Sequence, residues 1–319
     1  MLKVSVIIAT YNRAELLKRV LDCFLKQEIE SSFLYELLVV DNNSKDNTKE
    51  IVISYIPKFA SDDLKGRCLG LKYIFESQQG KPYALNQGIK SARGEYILFT
   101  DDDVIVEPKW LSAIMKCFDD HDCDGVGGRV LPLYPQNSPE WIKKNENKMA
   151  GVVVIYDSGN HDRKYDKSME KFIGANYAFK KSVFDECGLF RSEFSPVGED
   201  REFIRRLVKH NKLMYYCGQA VIWHPVDLER IRLKNIIRWN LAVGKSVALR
   251  ENESRQSEKY VYWFGIPRHL IKGVVLDIFL IIFNVFRRRS LFYRLRNLFR
   301  KVGMILRYKS FIRMNITKE

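Results

Sequence analysis

No run of this 319-residue chain reaches the roughly 20 consecutive apolar residues that a membrane-crossing helix needs. The most apolar stretch, Gly273–Phe286, contains Asp277 and Asn284 and is bounded by Lys272 and Arg287. At 1.5 Å per residue its 14 residues would reach about 21 Å, against a hydrocarbon core of roughly 30 Å. Histidine is scarce, with 5, and the 6 cysteines form no Cys-x-x-Cys pair and never stand with His at metal-ligand spacing. Zinc-finger and thioredoxin-type chemistries are thereby excluded, and Cys23, Cys68, Cys117, Cys123, Cys187 and Cys217 are read as reduced thiols. There is no internal repeat and no low-complexity segment. No secretory leader pattern precedes the first strand-like run, so a cytoplasmic location is expected.

What is present is an ordinary globular composition with an uneven charge. The net charge is +14, and residues Arg287–Glu319 hold eleven Lys/Arg against one Glu, so +10 of it lies in this tail. The body is close to balanced, which argues against a nucleic-acid platform. Leu291, Leu295, Leu298, Val302 and Ile305 recur at helical spacing among Arg294, Arg296, Arg300, Lys301 and Arg307. That pattern predicts a basic amphipathic helix, suited to an anionic membrane surface or to packing of its apolar stripe on the rest of the protein.

Strand and helix signals alternate from the start. Val4–Thr10 is β-branched and is followed by Leu16, Leu17, Val20, Leu21, Phe24 and Leu25 at helical spacing. Leu37–Val40 is a second strand, with a helix after it that Pro57 should stop. Leu69–Phe75 reads as a strand, Pro82–Ala92 as a helix and Tyr96–Thr100 as a strand. Further on, Trp110–Phe118 suits a helix, Gly125–Val130 a strand edge, Glu199–Lys209 a helix, Leu213–Cys217 a strand and Ile231–Leu249 a helix. Such alternation predicts an α/β fold whose parallel strands carry a site at their carboxyl ends. Three of those ends are polar: Thr10-Tyr11-Asn12, Asp41-Asn42-Asn43 and Asp101-Asp102-Asp103.

Three adjacent carboxylates repel one another unless a cation or a strong donor set neutralises them, and after the buried-looking strand Tyr96–Thr100 a hard divalent ion, Mg²⁺ or Mn²⁺, is expected. Such an ion would bridge two phosphates of a nucleotide and neutralise charge on a leaving group. Glu199-Asp200, opening a helix after Pro196-Val197-Gly198, supplies carboxylates for general-base work, although acids in a first helical turn also suit the macrodipole. Gly244-Lys245-Ser246 is no P-loop, since Trp239 stands where the first Gly is needed, and Gly125-Val126-Gly127-Gly128 lacks the dinucleotide spacing.

An ordered set of segments resembles the family 2 glycosyltransferases of the GT-A fold: Ile8–Arg13, Val39–Thr48, Ala84-Leu85-Asn86-Gln87-Gly88, Gly94–Asp103, Gly174–Phe179 and Gly198-Glu199-Asp200. The resemblance covers roughly residues 3–250. It implies a GT-A nucleotide-diphospho-sugar transferase fold, a Rossmann-like mixed sheet flanked by helices, with a C-terminal helical tail. It divides the chain into a catalytic domain at 1–250, with a nucleotide-binding half (1–105) and an acceptor-side half (106–250), and a tail at 260–319. By this resemblance Thr10, Tyr11, Asp41 and Asn43 would hold the donor base and ribose, and Asp101 and Asp102 would lie against ribose and diphosphate. Asp103, helped by His224, would bind the metal. Asp200 would be the base that takes the acceptor hydroxyl's proton late in a single inverting displacement. Partners implied are a nucleotide-diphosphate sugar, a glycan or lipid-linked glycan acceptor and no nucleic acid.

Asn235-Ile236-Ile237-Arg238-Trp239 is similar to a motif of processive synthases but departs at its first residue, and those enzymes carry membrane spans; transfer of one sugar per encounter is therefore expected. A sugar nucleotidyltransferase is the first rival, but its Gly-rich loop after the first strand is replaced here by Thr10-Tyr11-Asn12-Arg13-Ala14-Glu15. A non-catalytic nucleotide or glycan binder is the second, against which the complete acidic set argues.

Overall fold

The computed structural model describes residues 2–29, 33–61, 64, 67–146, 149–166, 172–254, 259–283 and 288–316. Arg287, residues 284–286 of the apolar stretch and residues 317–319 lie outside them. In chain order the elements are β1 (Leu2–Thr10), α1 (Ala14–Phe24), β2 (Leu34–Asp41), α2 (Thr48–Phe59), β3 (Cys68–Phe75), α3 (Lys81–Ser91) and β4 (Tyr96–Asp101). There follow β5 (Ile105–Val106), α4 (Trp110–His121), β6 (Gly125–Leu133), α5 (Glu140–Lys143), β7 (Arg163–Lys164), β8 (Asn176–Lys180) and α6 (Ser182–Cys187). The chain continues with α7 (Glu199–Lys209), β9 (Met214–Pro225), α8 (Leu233–Glu253), β10 (Tyr262–Trp263), β11 (Ile266–Pro267), α9 (Arg268–Phe283) and α10 (Arg288–Ile316).

These elements fall into two compact units. The first comprises residues 1–135, 154–195 and 199–226, and the second 136–153, 196–198 and 227–319. The first is built on a nine-stranded mixed sheet with path β3-β2-β1-β4-β8-β6-β9-β5 and β7 beside β9. β3, β2, β1 and β4 are parallel, as the β-α alternation predicts, and their residues Val6, Ile7, Leu37, Leu38, Val39, Val40, Ile97 and Leu98 are buried. The remainder is mixed: β8 runs antiparallel to both β4 and β6, while β6 is parallel to β9.

Several sequence expectations are corrected here. β6 is an interior strand rather than an edge, because its glycines leave room for neighbouring side chains: a Cβ on Gly127 would overlap the Phe172 ring and one on Gly128 the Asn176 amide. The strand expected at Leu213–Cys217 runs on to Pro225. Pro57 does not stop α2, which continues to Phe59; a proline in the last turn forfeits one backbone donor and leaves the turn intact. The loop beyond β6 contains the short helix α5.

In the second unit α8 and α10 cross closely. Gly244 of α8 lies against the Arg300 carbonyl and Gly303 of α10 against the Leu241 carbonyl, each so near that a Cβ would overlap backbone. Val247, Ala248, Leu270, Met304 and Tyr308 form the core there. Gly244-Lys245-Ser246 is thus a helix-crossing element. α8 stands in the 1–250 region by sequence, yet it packs along the tail helix, and the second unit accordingly takes in residues from Asp227 onward.

A methyl group at such a crossing meets backbone that cannot move aside. Gly303→Ala should therefore lower the melting temperature, by overpacking worth about 1–3 kcal/mol, despite the better helix propensity of alanine. Circular dichroism melting that showed an unchanged or higher midpoint would rule out the close crossing.

Candidate functional site

Parallel register brings the polar strand ends together. Thr10 pairs with Asp41 across β1 and β2, and Ala9 pairs with Asp101 across β1 and β4. The ladder extends one step further through the Asn42 N–H, which donates to the Thr10 carbonyl at 2.9 Å.

The loops after β1 and β2 brace each other. The Asn12 N–H donates to Ser44 Oγ at 2.9 Å and the Lys45 N–H to Asn12 Oδ1 at 2.6 Å, with Asn12 and Asn43 both in the left-handed region (φ 52° and 63°). Asp46 accepts from the Ala14 N–H at 3.1 Å and from the Thr48 hydroxyl at 2.5 Å, so one carboxylate serves the starts of α1 and α2. Asp41 is buried, and each of its oxygens takes one hydrogen bond and keeps further acceptor capacity: Oδ1 accepts from the Ser44 N–H at 2.9 Å and Oδ2 from the Tyr73 hydroxyl at 2.8 Å. Tyr11 is exposed beside this pocket, and Asn43 accepts from Lys45 Nζ at 2.9 Å.

The acidic triplet is divided between two cations, Lys81 for Asp101 and Arg13 for Asp102 and Asp103. Asp101 meets Lys81 Nζ at 2.5 Å; burial alone would raise its carboxyl, but Lys81 holds it below the usual range. Asp102 is buried and pushed up by that burial, even though Arg13 Nη1 sits 2.8 Å away. Asp103 receives the same Arg13 nitrogen on Oδ2 at 3.0 Å. Its other oxygen, Oδ1, is buried with no hydrogen-bond partner among the described residues and lies 3.8 Å from His224 Nε2. Ligand-capable atoms of Asp101, Asp103 and His224 all fall within 4.8 Å of one another.

His224 is oriented for such a role. Its Nδ1 is 3.0 Å from the Pro225 carbonyl, which can only accept, so Nδ1 carries a proton and a neutral ring would leave the Nε2 lone pair, 3.8 Å from Asp103 Oδ1, free to ligate. A buried carboxylate oxygen without a donor, an imidazole lone pair and a second carboxylate together form a donor set that suits Mn²⁺ or Mg²⁺.

A third group stands at the start of α7. Glu199 is buried and its carboxyl is pushed up to about 7, first by burial and then by the adjacent Asp200. Asp200 accepts from the Arg201 N–H at 2.6 Å, and a Cβ on Gly174 would come to 3.6 Å from its Cβ. Lys81 feels Asp101, Glu199 and Asp200 together, and their attraction holds its ammonium charged against the opposing effect of burial. Beneath the site, Asn176 spends its whole amide on the frame: Nδ2 donates to the Arg129 and Ala220 carbonyls at 2.9 and 2.8 Å, and Oδ1 accepts from Trp110 Nε1 at 2.8 Å.

Thr10, Asp41, Asp101, Asp102, Asp103 and His224 therefore gather at the strand ends, and Asp200 joins them through Lys81. Sequence reasoning missed Arg13 and Lys81 as site residues. Arg13 lay inside the Ile8–Arg13 segment, whereas Lys81 had no signal beyond preceding the helix-starting Pro82. Two of the cysteines also converge where the sequence showed only scatter: Cys117 and Cys217 come together with Asp162 between α4 and β9.

Comparisons with known proteins bear on the whole assembly. A model of the family described as glycosyl transferase family 2 matches residues 5–188. The chain is 35% identical over 224 residues to the glycosyltransferase AglE of Haloferax volcanii, covering 70% of this chain and 66% of that protein. It is 28% identical over 248 residues to a chondroitin synthase of Escherichia coli, covering 69% of this chain; it thus spans about a third, 34%, of that relative's length. In three dimensions it resembles a mannosyltransferase of Pyrobaculum calidifontis solved in complex with GDP-Man and Mn²⁺. There the TM-score is 0.60 at 17% identity, over 95% of this chain and 87% of the other.

The raised Glu199 carboxyl gives a pH test. A carboxyl that titrates higher in the folded protein than in the unfolded chain favours folding in its protonated form, so its contribution is complete below about pH 4.5 and fades as pH rises through about 7. Glu199→Gln, always neutral, should raise the melting temperature relative to the parent at pH 8 and lose that advantage by about pH 5. An equal effect at both pH values would show that Glu199 is not held protonated.

Proposed function

The chain belongs to glycosyl transferase family 2 and has the GT-A fold, and from that premise we propose that it transfers a sugar from a nucleotide-diphosphate donor to an acceptor hydroxyl with inversion. The product would be a polysaccharide or another cell-surface glycan. The observation that carries this reading is the meeting of Asp101, Asp103 and His224 around a buried carboxylate oxygen of Asp103 that has no hydrogen-bond partner among the described residues.

In this reading Thr10, Tyr11, Asp41 and Asn43 bind the base and ribose. Asp41 is suited to accept from ribose hydroxyls because Ser44 and Tyr73 already fix its orientation. Asp101 and Asp102 border the ribose and diphosphate, and Asp103 with His224 holds a divalent cation. When bound, that cation neutralises charge developing on the departing diphosphate. Arg13, between Asp102 and Asp103, keeps the acids aligned and adds positive charge where the phosphates would lie. Asp200, at the N-terminus of α7, accepts the proton of the attacking hydroxyl, and Lys81 restrains the charge of the neighbouring Asp101 and Glu199.

The acceptor in this proposal is a glycan or lipid-linked glycan, and the enzyme works in peripheral contact with the anionic inner face of a membrane. The tail's +10 charge supports that placement, and no described helix is long and apolar enough to cross a membrane.

A panel of UDP-, GDP- and dTDP-sugars with Mn²⁺, read by nucleotide release and thermal shift, tests the activity. Donor binding should vanish in EDTA and in Asp103→Ala; an EDTA-treated Asp103→Ala protein that turned over the donor normally would end the metal reading. Asp200→Asn should keep donor affinity and lose about 10²–10⁴-fold in transfer rate. Near-normal turnover in that variant would move the base to another residue, with Glu199 next in line.

A further inference from the structure

Helix α9 is built inside out. Its one acid, Asp277, is 1% exposed and turned inward, where Lys301 Nζ meets it at 2.5 Å and Arg294 Nη1 at 3.7 Å. On the other side Val275, Leu276, Phe279, Ile282 and Phe283 follow helical spacing over three turns and all face solvent, Phe283 at 69% exposure. An aqueous surface helix normally has the reverse arrangement.

Immediately before α9, β10 and β11 form a hairpin whose two-residue tip is Phe264-Gly265, both in the left-handed region with φ of 52° and 72°. That tip geometry favours Asn or Gly, and a bulky aromatic there is strained. Phe264 is nonetheless 96% exposed. Trp263 beside it shares one apolar depression with Ile271, Lys272, Val275, Leu276 and Phe279, so hairpin and helix present a single face. Arg268 stacks on the Trp263 ring at 4.5 Å and Lys272 stands at the rim.

We propose that the hairpin tip Trp263-Phe264 and the outer face of α9 form a membrane seat that enters the interface of an anionic leaflet, with α9 lying in its plane. This deepens the peripheral-membrane part of the reading above and rests on it. Three observations select lipid as the occupant. The face carries basic residues at its rim and withdraws its only acid, and residues 261–319 hold thirteen Lys/Arg against two acids, which complements an anionic surface. With 16 described residues α9 would span about 24 Å, too short for a hydrocarbon core of roughly 30 Å and suited to lying flat. An aromatic wedge at a hairpin tip suits the headgroup level, where a Trp ring finds both apolar and polar surroundings.

The seat differs from the one the tail sequence suggests. α10 is engaged with α8: Met304 and Tyr308 are buried, and Val302 and Ile305 are half-buried. Apart from Arg294 and Lys301, which meet Asp277, the basic residues of the tail then serve as attraction, and α9 with the hairpin serves as the inserting surface.

Co-sedimentation of the full chain with phosphatidylcholine vesicles, with and without phosphatidylglycerol, tests this. The parent protein should pellet with the anionic vesicles. Phe264→Asp, and separately the double variant Phe279→Ser/Phe283→Ser, should bind at least about tenfold more weakly, while donor hydrolysis in detergent-free solution stays unchanged. Circular dichroism establishes that each variant folds, and the two variants are independent of one another. A parent protein that ignores anionic vesicles overturns the peripheral-membrane reading itself. Binding that neither variant weakens overturns the seat alone and leaves attraction to the basic tail. A concentration-dependent dimer, seen by analytical ultracentrifugation without lipid and dissociated by Phe264→Asp, overturns it in favour of a second copy of this chain.

Discussion

The site depends on how its buried negative charge is balanced. Asp101, Asp102, Asp103, Glu199 and Asp200 are drawn close by the fold, and two cations, Arg13 and Lys81, oppose them. The balance is incomplete: Asp102 and Glu199 titrate upward, and Asp103 keeps one buried oxygen without a donor among the described residues. A low-dielectric pocket tolerates such an excess only when another positive group can enter or a carboxyl takes up a proton. In the proposed function that imbalance is what would make the pocket receptive to a divalent cation and, through it, to a diphosphate.

The rest of the first unit serves to hold that arrangement. Neighbouring parallel strands end in register, so their terminal carboxylates cannot move apart without breaking the ladder. Asp46, Asn176 and the Asn12–Ser44–Lys45 contacts saturate the loops around them with hydrogen bonds. Rigid backing lets carboxylates remain close where flexible loops would let them separate into water. In the second unit the balance is made differently: Asp277 is neutralised by Lys301 and Arg294 from α10, which frees the opposite side of α9 to be wholly apolar.

Much of this was legible in the residues. Continuous apolar and β-branched runs located β1 and β4, which are buried on both faces, and the 3.6 periodicity located α1, α4 and α7, each of which buries one face. Asp101–Asp103 stood out because an acidic triplet after a fully apolar strand is electrostatically costly. β8 and the far end of β9 were not legible, since Asn176–Lys180 and Gly218–Pro225 mix small, polar and aromatic residues with no clear alternation. Their strand character comes from pairing with β4 and β6. The outward face of α9 was hidden for a related reason: an apolar stretch looks alike whether its exposed side or its buried side is the larger.

By itself the sequence determined the α/β alternation, the polar strand ends and the family to which they belong, because hydrophobic period, turn residues and adjacent acids are local properties that survive without coordinates. Only the tertiary structure decided which charges meet. Lys81 reaches Asp101 across 20 positions, Arg13 reaches Asp102 across 89, and His224 brings its Nε2 within 3.8 Å of Asp103 from a strand far along the chain. Pairings at such separations follow from sheet register and helix packing, and no local residue pattern encodes them.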